Sequence, residues 1–582
     1  MLKESLRKAI EEAIKSFKED FGGEELPSIL IETPKEEKFG HFSTNIALLL
    51  SSRLAKPPRK IAEEILKKFN CTIVEKAEIA GPGFINFFIT QKTWQDLVPE
   101  VLAKRERYGS SDLGRGEKIQ IEFVSANPTG PLHIGHGRGA AVGDVLANIL
   151  EFSGFDVHRE YYINDVGVQM TTLGKSLKAR YLELLGEEVK FPENGYPGGY
   201  LKDVAKELYE EVGDSLKDKG QGAKGKGVAA GLSLREEAEK ADSRELIAES
   251  LQEGDLEFFI KFACEKLLNL IKKDLEDFRV RFDAWFSEVT LFESGEIKNS
   301  IELLKSKGII YEKDGAWWLR SSGSGDEKDR VVIKTDGATT YLASDIAYHK
   351  NKFERGYKKV IDIWGADHHG YIPRMKSVVQ SLGYPKDSLI VILVQIVNLQ
   401  KHGKTVAMGK REGQFVTLRE VMDEVGVDAC RFFFLERKSD AHLSFDLELA
   451  KEHSSKNPVY YVQYGHARIC SIFRKAQEKG LNLQRIDKVD LSLLKIEEEL
   501  SLIRKIYQFQ ETIEAIANSF EPHHITFYLK ELVTLFHKYY NEHPVLGNDV
   551  SLSSARLNLC KAVNIVLENG LRLLGISAPE SM

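Results

Sequence analysis

The feature that most constrains the fold is a strand, a glycine-rich turn, a helix and a second strand in direct succession. The run Ile119–Val124 predicts a buried strand, a helix is predicted from about Gly139 to Phe152, and a second strand from Phe155 to Ile163. Two successive strands joined by a helical crossover lie parallel in one sheet. The sequence therefore predicts an α/β domain built on a parallel sheet.

Further strands of this domain are predicted at Val331–Lys334, Val360–Ile363 and Leu389–Val397. The last run is apolar except for Gln395, which is typical of a strand that is covered on both faces.

The chain has 582 residues, which is too many for one core, and this length predicts several domains. Residues 1–108 are predicted to form a small α/β module, which ends in the polar, glycine-containing link 108–117. The parallel sheet lies in a domain over 116–415, with a charged helical insertion around 175–275. Apolar residues at helical spacing predict an all-α bundle over 427–582.

Two smaller predictions concern individual segments. In the N-terminal module we expect helices at the start and from about Asn45 to Phe69, beside extended segments at Ile29–Ile31 and Phe84–Phe88. In the insertion, four glycines and four lysines within 214–227 predict a flexible, solvated loop.

Composition excludes several classes of protein. No stretch reaches the roughly 18 apolar residues of a membrane span, and the N-terminus has no signal-peptide pattern. The net charge of −7 does not indicate a basic nucleic-acid binder, although local patches decide that contact. The five cysteines show no zinc-site spacing. We therefore expect reduced thiols, no bound zinc, no membrane partner and a cytoplasmic location.

The strongest functional signal is the segment Ser125–Gly139, which reads Ser-Ala-Asn-Pro-Thr-Gly-Pro-Leu-His-Ile-Gly-His-Gly-Arg-Gly. It lies between the first strand and its helix, where open parallel sheets bind ligands. The helix start attracts anions, and His133 and His136 add ring N–H donors for a phosphate. The glycine order differs from the dinucleotide-binding fingerprint, and the P-loop sequence is absent.

His133-Ile134-Gly135-His136 matches the first signature of the class I aminoacyl-tRNA synthetases, and the surrounding segment resembles the arginyl-tRNA synthetase family in particular. This resemblance implies a Rossmann-like catalytic domain with parallel strands, an N-terminal tRNA-binding α/β module and a C-terminal all-α anticodon-binding bundle. It also implies that the histidines stabilise charge on the α-phosphate of ATP, a role that requires preorganised donors. The ATP-binding residues that the resemblance implies are His133, Ile134, Gly135, His136, Gly137, Gly365, Asp367, His368, Met408 and Lys410.

The segment Lys404–Gly413 resembles the second class I signature, Lys-Met-Ser-Lys-Ser, whose lysines contact the departing pyrophosphate. Ala407 replaces the first lysine and Gly409 the serine, while Lys410 keeps the second lysine. The resemblance therefore assigns the catalytic role to His133, His136 and Lys410.

A third segment, Thr340–Tyr348, carries Tyr341 and Asp345 four residues apart near a predicted helix start. A guanidinium group presents a planar fork of N–H donors, for which a carboxylate is the best acceptor. In the family a Tyr and an Asp at this spacing bind arginine. The residues to which we assign arginine binding are Ser125, Asn127, His136, Gln169, Tyr341 and Asp345.

The run Trp364–Gly370 resembles the family segment that lines the adenosine pocket. Its Asp367, His368 and His369 could suggest a metal site, but adjacent side chains rarely converge on one ion, and we assign no metal ligands. The segment Phe282–Glu288 is also shared with the family, and we give it a structural role.

Aromatic, amide and basic side chains alternate in Asn457–Arg468, a mixture that suits unstacked RNA bases. This segment resembles the family's anticodon-binding domain, and Gly40–Asn45 resembles a segment of its N-terminal module. The tRNA-binding residues that we predict are Asn45, Tyr460, Gln463, Tyr464, His466, Arg468 and Tyr540.

The resemblance implies ligation of L-arginine to tRNA(Arg), with ATP and Mg²⁺, through an arginyl-adenylate, and activation that requires bound tRNA. It extends to the last residues, so we expect a complete chain, and a monomer. Three alternatives stay open at this point: a class I synthetase for another amino acid, a ligase that no longer uses tRNA, and a non-catalytic tRNA-binding paralogue. The cysteine enzyme among the first group needs a zinc site that these cysteines do not form.

Overall fold

The computed structural model describes residues 2–17, 26–34, 36–213, 255–405, 416–481 and 486–582. The N-terminal module packs helices against a three-stranded antiparallel sheet in which β3 lies between β1 and β2. Its strands β1 to β3 are Phe42–Thr44, Val74–Ala80 and Phe84–Ile89. Its helices α1 to α5 are Leu2–Ile14, Ile46–Leu54, Pro58–Lys68, Gln91–Gln95 and Leu97–Lys104.

The helical pattern predicted from about Asn45 to Phe69 forms two helices, because Ala55 has a left-handed φ of 49° and Pro58 starts a new helix. One local prediction for this module was wrong. Residues 29–31 lie outside any strand, and the extended chain next to them forms only one antiparallel bridge, between Glu32 and Ser43.

The central part of the chain contains a parallel sheet and a second, antiparallel one. Strands β4 to β11 are Lys118–Glu122, Asp156–Ile163, Ala284–Ser287, Ile310–Lys313, Ala316–Leu319, Arg330–Ile333, Lys359–Gly365 and Leu389–Val394. The parallel sheet has the order β11-β10-β4-β5-β6. Its carboxyl edge is therefore assembled from strands that are far apart in the sequence.

Helices of this part cover the parallel sheet or form the insertion. Helices α6 to α13 are Ile134–Phe152, Val168–Leu184, Gly199–Val212, Asp255–Asp277, Val289–Glu293, Glu296–Ser306, Tyr341–Glu354 and Ile372–Leu382. Helices α7, α8 and α9 bury their own small core, as expected for an inserted helical unit. The predicted lysine-glycine loop at 214–227 lies outside the described residues.

Two strand predictions need correction. Strand β9, near the predicted Val331–Lys334, belongs to the antiparallel sheet β7-β8-β9 and not to the parallel one. The predicted strand Leu389–Val397 divides at Val394, and its last residue starts β12, which joins a different sheet.

The C-terminal part is mainly helical. Strands β12 to β14 are Val397–Lys401, Lys404–Thr405 and Leu443–Asp446. Helices α14 to α20 are Leu418–Val425, Val427–Phe434, Leu447–Lys451, Pro458–Glu478, Glu497–Ser519, His524–Glu542 and Val550–Leu573.

Short 3-10 helices complete the fold. They are Lys15–Phe17, Glu37–Phe39, Arg105–Arg107, Ser322–Ser324, Ala366–Tyr371, Lys386–Ser388, Ile486–Lys488 and Leu491–Leu493. One apolar core runs from the N-terminal module through β4 and α6 into the C-terminal helices. None of the described helices has both the length and the apolar character that a bilayer crossing requires.

Candidate active site

The two histidines of the first motif form the start of α6. The Nδ1 atom of His133 accepts hydrogen bonds from the backbone N–H groups of Gly135 and His136, at 3.1 and 3.3 Å. In return His136 Nδ1 accepts from the His133 N–H at 3.3 Å, and the two rings stack at 3.6 Å between centroids. Because each Nδ1 is an acceptor, each neutral ring carries its proton on Nε2, the nitrogen of a donor.

The other residues of this motif have packing roles in the structure. Ile134 is 1% exposed and belongs to the core. A Cβ atom on Gly137 would lie 2.5 Å from a methyl group of Leu418, so this glycine lets α14 approach α6 closely. We therefore expect Ile134 and Gly137 to shape the motif by packing, and ATP contact at these two positions remains a prediction for their backbone atoms. A Cβ atom on Gly135 would lie 2.9 Å from a carbon of the His133 ring.

The chain leaves β4 through a strained turn. Val124 and Ser125 have φ angles of 68° and 41°, in the left-handed region that non-glycine residues rarely adopt. The Ser125 hydroxyl donates to Glu122 Oε1 at 2.9 Å and accepts from the Tyr162 N–H at 3.1 Å. These bonds hold Ser125 at the carboxyl edge between β4 and β5.

Two further predicted residues meet at this edge. The Asn127 side-chain amide donates to Gln169 Oε1 at 2.6 Å, although the two residues lie on opposite sides of β5 in the sequence. The structure thus brings together three of the side chains for which arginine contact was predicted, Ser125, Asn127 and Gln169.

A cluster of acidic side chains lies on the other side of Tyr162. Glu288, which directly follows β6, is 4% exposed and accepts hydrogen bonds from Ser344 and Tyr162. Burial, together with the nearby carboxylates of Asp345 and Asp165, raises the pKa of Glu288. Burial also raises the pKa of Asp345. Several carboxylates in a buried space create a strong preference for a bound cation.

Asp345 lies on α12, one turn after the first residue of that helix, and side chains from other segments lie near it. The Tyr371 hydroxyl donates a short hydrogen bond to Asp345 Oδ2. Tyr341 lies one turn earlier on α12 and is 67% exposed. Asp165 accepts from the Ser287 hydroxyl at 2.5 Å and from the Val289 N–H at 3.2 Å, so its carboxylate is fixed at the end of β6.

The sequence patterns did not indicate Glu288 or Tyr371 as site residues, and Phe282–Glu288 was predicted to have only a structural role. One signal could have indicated Glu288. It follows a strand of the parallel sheet directly, at the edge where ligand-binding residues collect, but the strand Ala284–Ser287 was not recognised as a member of that sheet.

The predicted adenosine segment follows β10 at the same carboxyl edge. Gly365 is the last residue of β10, and a Cβ atom there would lie 2.5 Å from Asp367 Oδ1. The side chains of Asp367 and His368 are 83% and 61% exposed, and His368 Nε2 lies 3.8 Å from Asp367 Oδ2. Both side chains are therefore accessible to solvent on the 3-10 helix Ala366–Tyr371.

Met408 and Lys410 of the second signature lie outside the described residues. The described residues that follow the second signature form backbone hydrogen bonds with the first motif. The Ile134 N–H donates to the Val416 carbonyl at 3.3 Å, and the Leu418 N–H donates to the Leu132 carbonyl at 2.8 Å. The chain after the second signature is thus attached directly to the first.

Four of the predicted tRNA-binding residues surround a cavity in the C-terminal helices or lie next to it. The cavity has a volume of about 320 Å³ and is lined by Tyr460, Tyr464 and Arg468, among others. The rings of Tyr460 and Tyr464 are nearly parallel, 6.0 Å apart. The Arg468 guanidinium lies 4.8 Å from the Tyr464 ring and 5.3 Å from the Tyr540 ring.

Two other predicted tRNA-binding residues are inside the protein. Gln463 is 8% exposed and donates to Asp428 and Ser577. His466 is 2% exposed. Although burial opposes its charge, hydrogen bonds with Cys470, Glu568 and the Pro579 carbonyl raise the pKa of His466 to about 10. Because the chain's last residues occupy this face of α17, we withdraw direct RNA contact for Gln463 and His466.

Asn45 precedes α2 in the N-terminal module. Its side chain makes no capping hydrogen bond, and its Oδ1 atom is buried without a hydrogen-bond partner in the described structure. A buried amide in this state has unused hydrogen-bonding capacity.

Comparisons with known proteins agree with this geometry. Family models match along the chain: the arginyl-tRNA synthetase N-terminal domain at residues 2–89, the catalytic domain of class I (R) tRNA synthetases at 97–470, and the DALR anticodon-binding domain at 462–582. The arginine–tRNA ligases of Syntrophotalea carbinolica and Citrifermentans bemidjiense are 48% and 49% identical to this chain, each over 100% of both sequences.

A solved structure, the arginyl-tRNA synthetase of Thermus thermophilus, superposes with a TM-score of 0.74 and covers 100% of both chains at 22% identity, which supports the fold alone. The sheet, the paired histidines at the start of α6 and the helical C-terminal part together define a class I aminoacyl-tRNA synthetase. Within that class, the chain belongs to the arginyl-tRNA synthetase family. The fold class predicted from the sequence is confirmed.

Proposed function

We propose that this chain is an arginine–tRNA ligase that converts ATP, L-arginine and tRNA(Arg) into L-arginyl-tRNA(Arg), AMP and diphosphate. The observation that carries this proposal is the acidic cluster of Asp345, Glu288 and Asp165, which shares one sheet edge with the paired histidines. The acidic cluster suits a cationic side chain, and the paired histidines suit phosphate groups. The full-length similarity to arginine–tRNA ligases supports the same assignment.

In the first step, a carboxylate oxygen of arginine attacks the α-phosphorus of ATP, and the bond to the diphosphate leaving group breaks. The Nε2–H groups of His133 and His136 are suited to donate to phosphate oxygens as charge builds on them. The start of α6 adds backbone N–H groups of the same polarity. Neither histidine needs to act as a nucleophile, because the reaction is driven by positioning and charge stabilisation. Mg²⁺ enters with ATP, as part of the substrate.

The amino acid lies along the carboxyl edge in this proposal. Asp345 binds the guanidinium group, with Glu288 supplying further negative charge and Tyr341 covering the cation from the exposed side. Ser125, Asn127 and Gln169 hold the α-amino and carboxylate end, near the phosphates. This orientation places the two charged ends of arginine against the two oppositely charged parts of the site.

In the second step, the 2′-hydroxyl of the terminal tRNA adenosine attacks the arginyl carbonyl, and AMP leaves. Gly365, Asp367 and His368 are assigned to adenosine binding. Lys410 and Met408 are assigned to ATP on sequence alone. Among the described residues, 416–418 pair with residues 132–134 of the first motif.

For tRNA we propose two contact regions. The cavity beside α17 has room for a nucleobase, and the rings of Tyr460, Tyr464 and Tyr540 with the Arg468 guanidinium provide surfaces on which a base can stack. The second region is the N-terminal module, where Asn45 is the predicted contact. The domains that we propose are the N-terminal module at 1–108, the catalytic domain at 116–415 and the anticodon-binding domain at 427–582. The monomeric state and the cytoplasmic location remain predictions.

The test is ATP–diphosphate exchange with each of the twenty amino acids, with and without total tRNA. We expect exchange with arginine only, and only when tRNA is present. Exchange with another amino acid would keep the class I mechanism and reject the assignment of the acidic cluster to a guanidinium. Absence of exchange in a preparation that still binds tRNA would favour the non-catalytic paralogue.

A further inference from the structure

A buried lysine belongs to a hydrogen-bond network that includes residues of the proposed amino-acid pocket. In the register of the parallel sheet, Glu122 on β4 is paired with Asp362 on β10, so two carboxylates lie side by side in neighbouring strands. The Lys352 side chain, from the last part of α12, is fully buried between them. Its Nζ donates to Glu122 Oε2 at 2.5 Å and to Asp362 Oδ1 at 2.8 Å.

The remaining oxygens of both carboxylates lead to the two ends of the pocket. Glu122 Oε1 accepts from the Ser125 hydroxyl at 2.9 Å. Asp362 Oδ2 is 2.9 Å from His349 Nε2, and His349 Nδ1 lies 2.8 Å from the backbone carbonyl of Asp345. A continuous set of hydrogen bonds therefore joins Ser125 to the residue proposed to hold the guanidinium, with Lys352 in the middle.

The charges in this network favour a rigid arrangement. Burial opposes the charge of Lys352, but Asp362 and Glu122 raise its pKa above the ordinary lysine value. In spite of burial, Lys352 and His349 lower the pKa of Asp362 to about 2. Burial raises the pKa of Glu122. The Lys352 ammonium and the Asp362 carboxylate are thus charged partners inside the protein, where an unpaired charge is very unfavourable.

We propose that Lys352 is a positioning residue that fixes the separation between Ser125 and Asp345, and that it thereby selects the amino acid by the length of its side chain. This inference rests on the proposed function, because it takes those two residues as the ends of the arginine pocket. Lys352 itself contacts neither substrate in this arrangement.

Length is a property that the charged groups alone do not select. Homoarginine has one methylene more than arginine, and 2-amino-4-guanidinobutyric acid has one fewer, but both carry the same guanidinium, amino and carboxylate groups. A pocket with fixed ends rejects each homologue by the misplacement of one charged group, and one methylene is typically worth about 10- to 200-fold in discrimination. A pocket whose ends can move apart or together loses that discrimination.

The experiment compares kcat/KM for arginine and for the two homologues in tRNA-supported ATP–diphosphate exchange. For Lys352→Met we expect the preference for arginine over the homologues to fall at least about tenfold, together with a higher KM for arginine. The matched control is Lys350→Met. Lys350 lies on the same helix and pairs with Glu296 at 3.2 Å and with Glu354 at 2.8 Å, and neither carboxylate belongs to this network. The control is expected to keep its preference for arginine.

A second variant covers the case in which Lys352→Met does not fold. His349→Gln leaves Lys352 paired with both carboxylates but removes the ring that reaches the Asp345 carbonyl, and it should weaken the rejection of homologues in the same direction. If the folded variants among Lys352→Met and His349→Gln keep the wild-type preference for arginine over its homologues, the inference is overturned. The proposed function still holds in that case, provided that the wild-type chain activates arginine. A wild-type chain that does not activate arginine would overturn both.

Discussion

At the scale of single residues, Glu288 shows how this site favours ligand binding over stability. Its carboxylate is buried beside two others, so the pKa in the folded chain is above that of the unfolded chain. The folded state then binds the proton more tightly than the unfolded state does. The sign follows from linkage: this group favours folding at low pH and opposes it once the pH exceeds the raised pKa.

Glu288→Gln is therefore expected to be more stable than the wild type at pH 7, by about 1 kcal/mol, with a higher KM for arginine. The stability difference should shrink as the pH falls through the raised pKa toward the ordinary carboxyl range. Urea unfolding at several pH values measures the first effect, and exchange kinetics measure the second. Glu293→Gln, an exposed acid in the next helix, should change neither property. If Glu288→Gln is less stable than the wild type at pH 7, neighbouring groups stabilise the charged Glu288 carboxylate more than we infer.

At the scale of secondary-structure elements, helix α17 has two faces with different partners. Tyr460, Tyr464 and Arg468 recur every four residues, so they lie on one face, which lines the cavity. The Arg468 guanidinium lies 3.1 Å from His537 Nδ1, and burial together with Arg468 lowers the pKa of His537 to about 4. The imidazole is therefore neutral and accepts the Arg468 N–H, which holds the guanidinium beside the tyrosine rings.

For this face we predict that Arg468→Gln raises the Kd for tRNA about tenfold, because a stacking and cationic surface is lost. At saturating tRNA, the KM for arginine should not change, since the cavity is distinct from the sheet edge. Filter binding and exchange assays measure the two quantities. The control is Arg474→Gln on the same helix, whose guanidinium donates to the Glu580 carbonyl at 3.1 Å. Equal weakening of tRNA binding by both substitutions would indicate a general charge effect instead of a base-binding cavity.

At the scale of the whole molecule, Arg431 connects parts of the chain that are far apart in the sequence. It is fully buried and forms a short ion pair with Asp144 on α6. It also donates to the carbonyls of Leu574, at 2.6 Å, and Phe278, at 3.0 Å. One guanidinium therefore holds together three parts of the chain: the crossover helix α6, the link before β6 and the end of α20.

Removing this guanidinium should be costly because Asp144 would remain buried without its charged partner. We predict that Arg431→Met lowers the free energy of unfolding by about 3–5 kcal/mol, measured by urea denaturation. The double variant Asp144→Leu/Arg431→Met should recover part of this loss, because neither charge is left unpaired. A double variant as unstable as the single one would show that the carbonyl contacts, and not the ion pair, carry the effect.

The sequence by itself determined those features that are encoded locally. The apolar run before a glycine-rich turn established the parallel sheet, and the motif at the start of α6 located its ligand-binding edge, because both signals occupy consecutive residues. Tyr341 and Asp345 could be paired from their helical spacing. The start of α6 was placed five residues late, at Gly139, because histidine is not an expected capping residue.

Only the tertiary structure decided which distant residues share the site. Glu288 and Tyr371 join Asp345 because β6 and the segment after β10 end at the same edge, and no local pattern records strand order. For the same reason, the sequence did not show that strand β9 and the end of the Leu389–Val397 run belong to sheets other than the parallel one. Helical spacing likewise could not show that the last residues of the chain cover Gln463 and His466, since burial of a helix face depends on what packs against it.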